Sequence, residues 1–342
     1  MQINSKEVKP NSKTYLTMKV TTDLDGGDIN LPVHVVVGAR SGPTLALFST
    51  LHGSEWLPID VTRRIMQKTQ PSDIAGTILA VPVGNPVAFG NYLNRNTRDE
   101  SDNADLNRVF PGQFTWIAEQ ISSKLANEVM AKSDCLIDLH WGIWGSTLGA
   151  VMYGTDFPDP EVVRKCEEIA KVFGYPCIHR GKAVTVFPGP RSSMGYFGGV
   201  LGKPCIGVEL GGAGFDEAIE ERWINMNITG VENVMKHLKM LKGEPILPDK
   251  YLVWDKRWRV NPTVAGILVP KIPANSLMRE VKKGDLLGQV VSPYSFQALE
   301  ELKSPGNGIL FMSARMYPVR PGDWAFAVID TDDKGTQWVP SH

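Results

Sequence analysis

The sequence is poor in the features that mark several functional classes. None of its four cysteines (Cys135, Cys166, Cys177, Cys205) stands in a Cys-x-x-Cys pair, and each lies in an apolar segment. That pattern favours buried free thiols in a reducing compartment over a disulfide framework. No stretch approaches the roughly 20 apolar residues needed to cross a bilayer. Lys6, Glu7 and Lys9 near the amino terminus have no apolar run behind them, so no signal-peptide core is expected. Charge is also nearly absent as a net quantity: 36 Lys+Arg oppose 37 Asp+Glu, a balance of -1, with no block of one sign. A chain of this kind builds no field for nucleic acid or anionic membrane, and neither is expected as a partner. The glycine-rich Gly211-Gly-Ala-Gly214 lacks a P-loop lysine and the full dinucleotide pattern, so it carries little weight as a nucleotide site. The remaining expectation is a cytoplasmic protein acting on small molecules, with a homo-oligomer left open.

At 342 residues, 42% of them hydrophobic and 21% charged, the chain can bury a large core and exceeds the usual single-domain size. Residues 33–37, 44–49, 77–82, 135–140, 150–153 and 205–209 read as strands, several apolar throughout, as in the middle of a covered sheet. Helical patterns at 58–67, 116–131, 160–173 and 219–241 alternate with them, and Pro160 suits a first helical turn. Alternating strands and helices predict a three-layer α/β domain over residues 1–244. Pro245 and Pro248 bracket a polar link. Beyond it, short β-type segments at 266–269, 286–290, 308–312 and 324–329 predict a small all-β barrel or sandwich over 245–342.

Three predicted strands of the first domain end in residues foreign to a core. The first runs into Leu51-His52-Gly53-Ser54-Glu55, the second ends at His140 after Asp138, and the third ends at Glu209 before Leu210-Gly211-Gly212. Ligands of open α/β sheets bind beyond the carboxyl ends of strands, so the three ends suggest one shared site. Two imidazoles and a carboxylate (His52, Glu55, His140) form a common catalytic zinc set that leaves a position for water, although manganese, cobalt or ferrous iron fit the same donors. Asp138 shares a strand face with His140 and could orient its ring. Glu209 is then free to act as general base.

Each residue also has a plain explanation. His-x-x-Glu occurs often by chance, a histidine at a strand end is commonly just hydrogen-bonded, and Glu209 could cap a helix or pair with an arginine. Their joint placement is what favours the metal. Asn107 and Arg108, in Asp105-Leu106-Asn107-Arg108 closed by Pro111-Gly112, offer an amide and a planar fork to a carboxylate. The alternative is a surface ion pair of Arg108 with Asp105 or Glu100. Arg98, in the polar loop 94–103, could polarise a scissile carbonyl.

Taken in order, His52-Gly-Ser-Glu55, Asp-Leu-Asn107-Arg108-x-Phe-Pro-Gly, Asp138-Leu-His140 and Glu209-Leu-Gly-Gly resemble the succinylglutamate desuccinylase/aspartoacylase family, a branch of the zinc carboxypeptidase fold. The resemblance implies one zinc ion on His52, Glu55 and His140, Glu209 as base, Arg98 at the carbonyl, and Asn107 and Arg108 on the substrate. It also implies a carboxyl-terminal β-domain that narrows the entrance to small acylated amino acids or amines. The segments Val281-Lys-Lys-Gly-Asp-Leu-Leu-Gly and Ser304-Pro-Gly-Asn-Gly-Ile are similar to biotinyl or lipoyl carriers but lack the hairpin-tip lysine, so no attached group is expected. The stretch Phe187-Pro-Gly-Pro-Arg191-Ser-Ser-Met-Gly-Tyr196 precedes Glu209 by more residues than in aspartoacylase, and the chain looks closer to the bacterial branch that deacetylates diaminobutyrate derivatives. Arg191 is a further candidate for a substrate carboxylate. The competing readings are a metallocarboxypeptidase on short peptides and a non-catalytic small-molecule binder of the same fold.

Overall fold

Runs such as Ile78-Leu79-Ala80-Val81 and Leu136-Ile137 have no polar face, so as strands they need cover on both sides. In the computed structural model they lie at the centre of a ten-stranded mixed sheet and are fully buried. The structure describes residues 2–23, 25–91, 104–113, 115–142, 145–185, 190–212, 216–273 and 277–341. The strands of this sheet are, in chain order, β1 (Ser12–Thr22), β2 (Asp28–Val37), β3 (Arg40–Ser49), β4 (Ala75–Val81), β5 (Cys135–Trp141), β6 (Ala150–Gly154), β7 (Cys177–Gly181), β8 (Cys205–Leu210), β9 (Lys250–Trp254) and β10 (Gln337–Pro340). Across the sheet they run β10-β9-β7-β6-β8-β5-β3-β4-β2-β1. The neighbours β8, β5, β3 and β4 are mutually parallel. β6 enters antiparallel to β8 but parallel to β7.

The predicted helices appear as α1 (Leu57–Lys68), α2 (Ile117–Glu128), α3 (Pro160–Phe173) and α5 (Glu217–His237), with a short α4 (Ser193–Gly199) that the sequence did not announce. Local chemistry fixes their ends. Asp159 accepts from the Glu161 amide at 2.9 Å, Pro160 opens α3, and Gly174 closes it at φ 87°. Helix α5 packs against both α1 and α3. Helix α4 lies on the face carrying Asp138 and Gly207: Ser193 Oγ hydrogen-bonds Asp138, and a Cβ at Gly207 would come within 2.6 Å of Met194 Sδ. A side chain at Gly207 would therefore force Met194 to move aside.

The carboxyl-terminal part forms two antiparallel sheets. Gly308–Ala314 pairs with Phe326–Asp330, and Gly266–Pro270 pairs with Leu286–Val291. They enclose a second core in which Leu268, Leu287, Leu310, Phe326 and Val328 are fully buried. This core is continuous with the large sheet, since Ala150, Cys177, Leu252 and Trp254 belong to it. The chain passes from the link at 243–249 into β9 and returns through β10, both strands of the large sheet. All four cysteines are free and buried, and among the described residues no helix is long and apolar enough to cross a membrane.

Phe326 is fully buried at the centre of the second core. Phe326→Ala should therefore destabilise the protein by about 3–5 kcal/mol, read as a lowered denaturation midpoint; a change below about 1 kcal/mol would mean that this core contributes little.

Candidate functional site

The parallel register of the central strands sets the site. Glu209 on β8 lies directly beside His140 on β5, with Gly207 beside Asp138 two residues earlier. Side chains at i and i+2 share a face, so Asp138, His140, Gly207 and Glu209 project to one side. On the other flank of β5, β3 ends level with it, Ser49 pairing with Leu139.

The chain then turns sharply. Thr50 takes a positive φ of 55°, unfavourable for a β-branched residue, and is held there by two contacts. Its hydroxyl donates to the Glu55 carbonyl at 2.9 Å, and the Asn85 amide donates to its own carbonyl at 3.0 Å. The bend returns His52 and Glu55 to the strand ends. Gly53 makes this possible, because a Cβ there would sit 2.3 Å from the Ala88 carbonyl oxygen.

Glu55 bridges the two histidines. One carboxylate oxygen lies 2.8 Å from His52 Nδ1 and the other 2.8 Å from His140 Nδ1. The Trp141 amide also donates to Glu55, at 3.2 Å. The outward ring nitrogens are held by further carboxylates: His52 Nε2 lies 3.1 Å from Asp105, and His140 Nε2 lies 3.0 Å from Asp138. Asp138 is completely buried and also accepts from Ser193 Oγ. Each imidazole thus has its Nε2 fixed by an acid and its Nδ1 turned inward. Ligand atoms of His52, Glu55 and His140 lie within 4.8 Å of one another, a group that could hold a metal ion.

The electrostatics fit such an ion. Glu55, Asp105, Asp138 and Glu209 outnumber the arginines that act on them, Arg108 on Asp105 and Arg257 on Glu209, so two neutral imidazoles would leave the cluster short of positive charge. Burial would lower the pKa of His52, but Glu55 and Asp105 outweigh it and raise the value to about 9. His140 is likewise lifted well above the ordinary imidazole value, with Asp138 and Glu55 overcoming burial. Burial alone would raise the pKa of Glu55, yet the two histidines hold it below the usual carboxylate range. A divalent cation meets the same demand for positive charge that the two extra imidazole protons otherwise meet, and two nitrogens with one carboxylate suit zinc-type chemistry. Glu209 differs from these acids: burial, with Glu55 adding, pushes its pKa upward despite the opposing pull of His140 and Arg257.

Two cavities meet here. The larger, about 870 Å³, is lined by His52, Asn107, Arg108, His140 and Glu209 and by further cationic side chains. The smaller, about 330 Å³, lies between Glu55, Glu209 and the carboxyl-terminal sheets. The structure therefore brings together His52, Glu55, His140, Glu209, Asn107 and Arg108. Asn107 is buried, with its side-chain oxygen accepting from the Ser193 amide at 2.7 Å and its nitrogen 3.2 Å from His140 Nε2. Arg191 stands apart: its guanidinium lies 3.7 Å from Glu119, half exposed, and is in neither cavity wall. Arg98 lies outside the described residues.

Sequence reasoning missed two residues. In the sequence Asp105 reads as a partner of Arg108, but that contact is long (4.0 Å) and its close partner is His52. The available signal was its place at the head of the Asp-Leu-Asn-Arg motif. Arg257 reaches both cavities from the carboxyl-terminal part, packed over Trp254, Phe311 and Trp324 at 5.2–5.6 Å. Only the interleaved Trp254-Asp-Lys-Arg257-Trp-Arg259 hinted at it.

A sequence model of the succinylglutamate desuccinylase/aspartoacylase catalytic domain matches residues 41–238, which contain every residue of the His–Glu–His group and Glu209. The chain is 28% identical over 327 residues to the N-α-acetyl-L-2,4-diaminobutyric acid deacetylase of Halomonas elongata, covering 90% of this chain and 88% of that protein. Its fold is similar to that of the product-bound ectoine utilization protein EutE (DoeB) of Ruegeria pomeroyi, with a TM-score of 0.81, 22% identity and coverage of 96% and 98% of the two chains. A succinylglutamate desuccinylase/aspartoacylase from Rhodobacter sphaeroides aligns at a TM-score of 0.78 and 20% identity over 93% of this chain and 95% of that one. A family match over more than half the length, together with the family's fold, makes this chain a member of the succinylglutamate desuccinylase/aspartoacylase family.

Proposed function

We propose that the protein is a zinc-dependent amidohydrolase that removes the acyl group from a small N-acyl amino acid or N-acyl amine. The observation that carries this reading is the convergence of His52, Glu55 and His140 within 4.8 Å at adjacent strand ends, with Glu209 in register beside His140. The similarity to a diaminobutyric acid deacetylase supports amide hydrolysis of a small acylated amino acid.

His52, Glu55 and His140 would hold the ion, which when bound supplies Lewis acidity toward the amide carbonyl and acidifies water. Glu209 accepts the proton of the attacking water, and its raised affinity for a proton suits it to hand that proton to the departing nitrogen. The water oxygen bonds to the carbonyl carbon, the C–N bond breaks, and the products are a carboxylate and an amine. Asn107 and Arg108 hold the substrate from the wall of the larger cavity. The proposal also assigns carbonyl polarisation to Arg98 and, given its place beside Glu119 outside both cavities, leaves Arg191 out of the substrate contacts.

In this reading residues 1–244 supply the chemistry and 245–342 wall the site. Trp254, Phe311 and Trp324 close one side of it, which supports small substrates over peptides in an open groove. We extend the proposal to a cytoplasmic setting, supported by the four unpaired buried thiols.

Glu209→Gln should leave zinc content intact and reduce turnover by a factor of about 100 or more; comparing metal analysis with single-turnover rates checks this, and retained turnover would remove Glu209 from its role. Asp105→Ala should weaken zinc affinity by about 10- to 100-fold through loss of the acceptor on His52 Nε2, measured by competition with a chelator. The two imidazoles, raised in pKa by their acidic neighbours, must release protons to bind metal. Zinc affinity should therefore fall as the pH drops from about 8 to about 6, by roughly tenfold per unit for each proton displaced. Affinity that stays flat in equilibrium dialysis over this range would take the imidazoles out of the ligand set.

A further inference from the structure

The two cavities that share Glu209 differ in chemistry. Arg108, Arg180, Lys182 and Lys256 line the larger one, where Arg180 pairs with Asp255 of the same wall and Lys256 with Asp333, so that cations still outnumber the acids around it. The smaller one is walled mainly by Trp141, Met152, Trp254, Phe311, Met312 and Trp324. Trp141 ends β5 and Met152 lies in β6, whereas Phe311, Met312 and Trp324 come from the carboxyl-terminal sheets and the loop between them. The aromatic chamber is thus assembled across the seam between the two parts of the protein. Arg257 stands in the wall of both cavities, stacked among Trp254, Phe311 and Trp324, and among the described residues its guanidinium has no hydrogen-bond partner.

An amide cut beside Glu209 must place one half in each space. The amino-acid half carries a carboxylate, which belongs with the cations. The acyl half is left for the chamber. An acetyl group has three heavy atoms, about the bulk of two or three waters, whereas about 330 Å³ is roughly the liquid share of ten. Behind an acetyl methyl the rest of the chamber would hold water against aromatic walls, which is unfavourable.

Resting on the deacylase reading, we propose that this chamber is the acyl pocket and that it selects apolar acyl groups several carbons longer than acetyl. Arg257, at the boundary, meets the carboxylate that hydrolysis creates on the acyl product. The chamber then recognises the hydrocarbon, the cationic cavity recognises the amino acid, and the reacting centre lies between them.

The test begins with the free acids, so that it does not depend on turnover. Isothermal titration of the zinc-loaded protein with acetate, butanoate and hexanoate should show affinity rising by about fourfold per methylene, so that hexanoate binds roughly 100-fold or more tightly than acetate. Trp324→Ala, which removes a wall, and Met312→Trp, which fills the space, should each narrow the hexanoate-to-acetate ratio. Equal affinities for the three acids, or a ratio untouched by both substitutions, would overturn the proposal. The second arm compares kcat/KM for N-acetyl, N-butanoyl and N-hexanoyl derivatives of 2,4-diaminobutyrate, expected to rise along the series. Hydrolysis of the acetyl compound in preference to the longer ones would sink the acyl pocket and leave the deacylase standing. Tight hexanoate binding with no amide cleaved would do the reverse.

Discussion

The carboxylate of Glu55, with one oxygen on each inward-facing imidazole, is the contact on which the rest of the site depends. It joins a loop to a strand that is distant in sequence, and it works only if three conditions hold together. The loop must double back after β3, which Thr50 and Gly53 arrange through an unfavourable backbone angle and a missing side chain. The strand must present His140 at its carboxyl end, and the neighbouring strand must bring Glu209 level with it. Asp105 and Asp138 then lock both rings from behind. The result is a buried concentration of negative charge with a single kind of remedy, a cation or its equivalent in protons.

Separate roles for chemically similar acids follow from that arrangement. Glu55 sits between two positive rings and is held ionised, while Glu209 faces burial and another carboxylate and retains affinity for a proton. One is suited to ligation and the other to proton transfer, although both are glutamates at strand or loop ends. The division is created by neighbours, not by residue type.

Much of this was legible in the sequence, because the elements that matter obey short-range rules. The apolar runs of β4, β5 and β8 announce buried parallel strands, Asp159-Pro160 announces the start of α3, and polar residues after strand ends announce a site. What the sequence left hidden depends on long-range pairing. β1, β7, β9 and β10 are marginal in pattern and exist as strands because neighbours complete their hydrogen bonds. Likewise Asp105 reads as a loop acid until His52 is brought to it. Arg257 reads as a surface cation until the second core folds against the sheet and rings it with tryptophan.

That second core is not a separate body hung on a linker. It leaves the large sheet through β9 and rejoins it through β10, adjacent strands at one edge. A module fastened at both of its chain ends cannot swing as a door does, because no single bond rotation moves it. Its sheet is also hydrogen-bonded to the first part away from these anchors, through the pairing of Thr147 with Met312 and the Leu148 amide donating to the Phe311 carbonyl at 3.0 Å. The tryptophan wall is thus held by strand pairing on more than one side. The wall beside the candidate site is therefore anchored in the sheet edge itself and not in a free-standing lid.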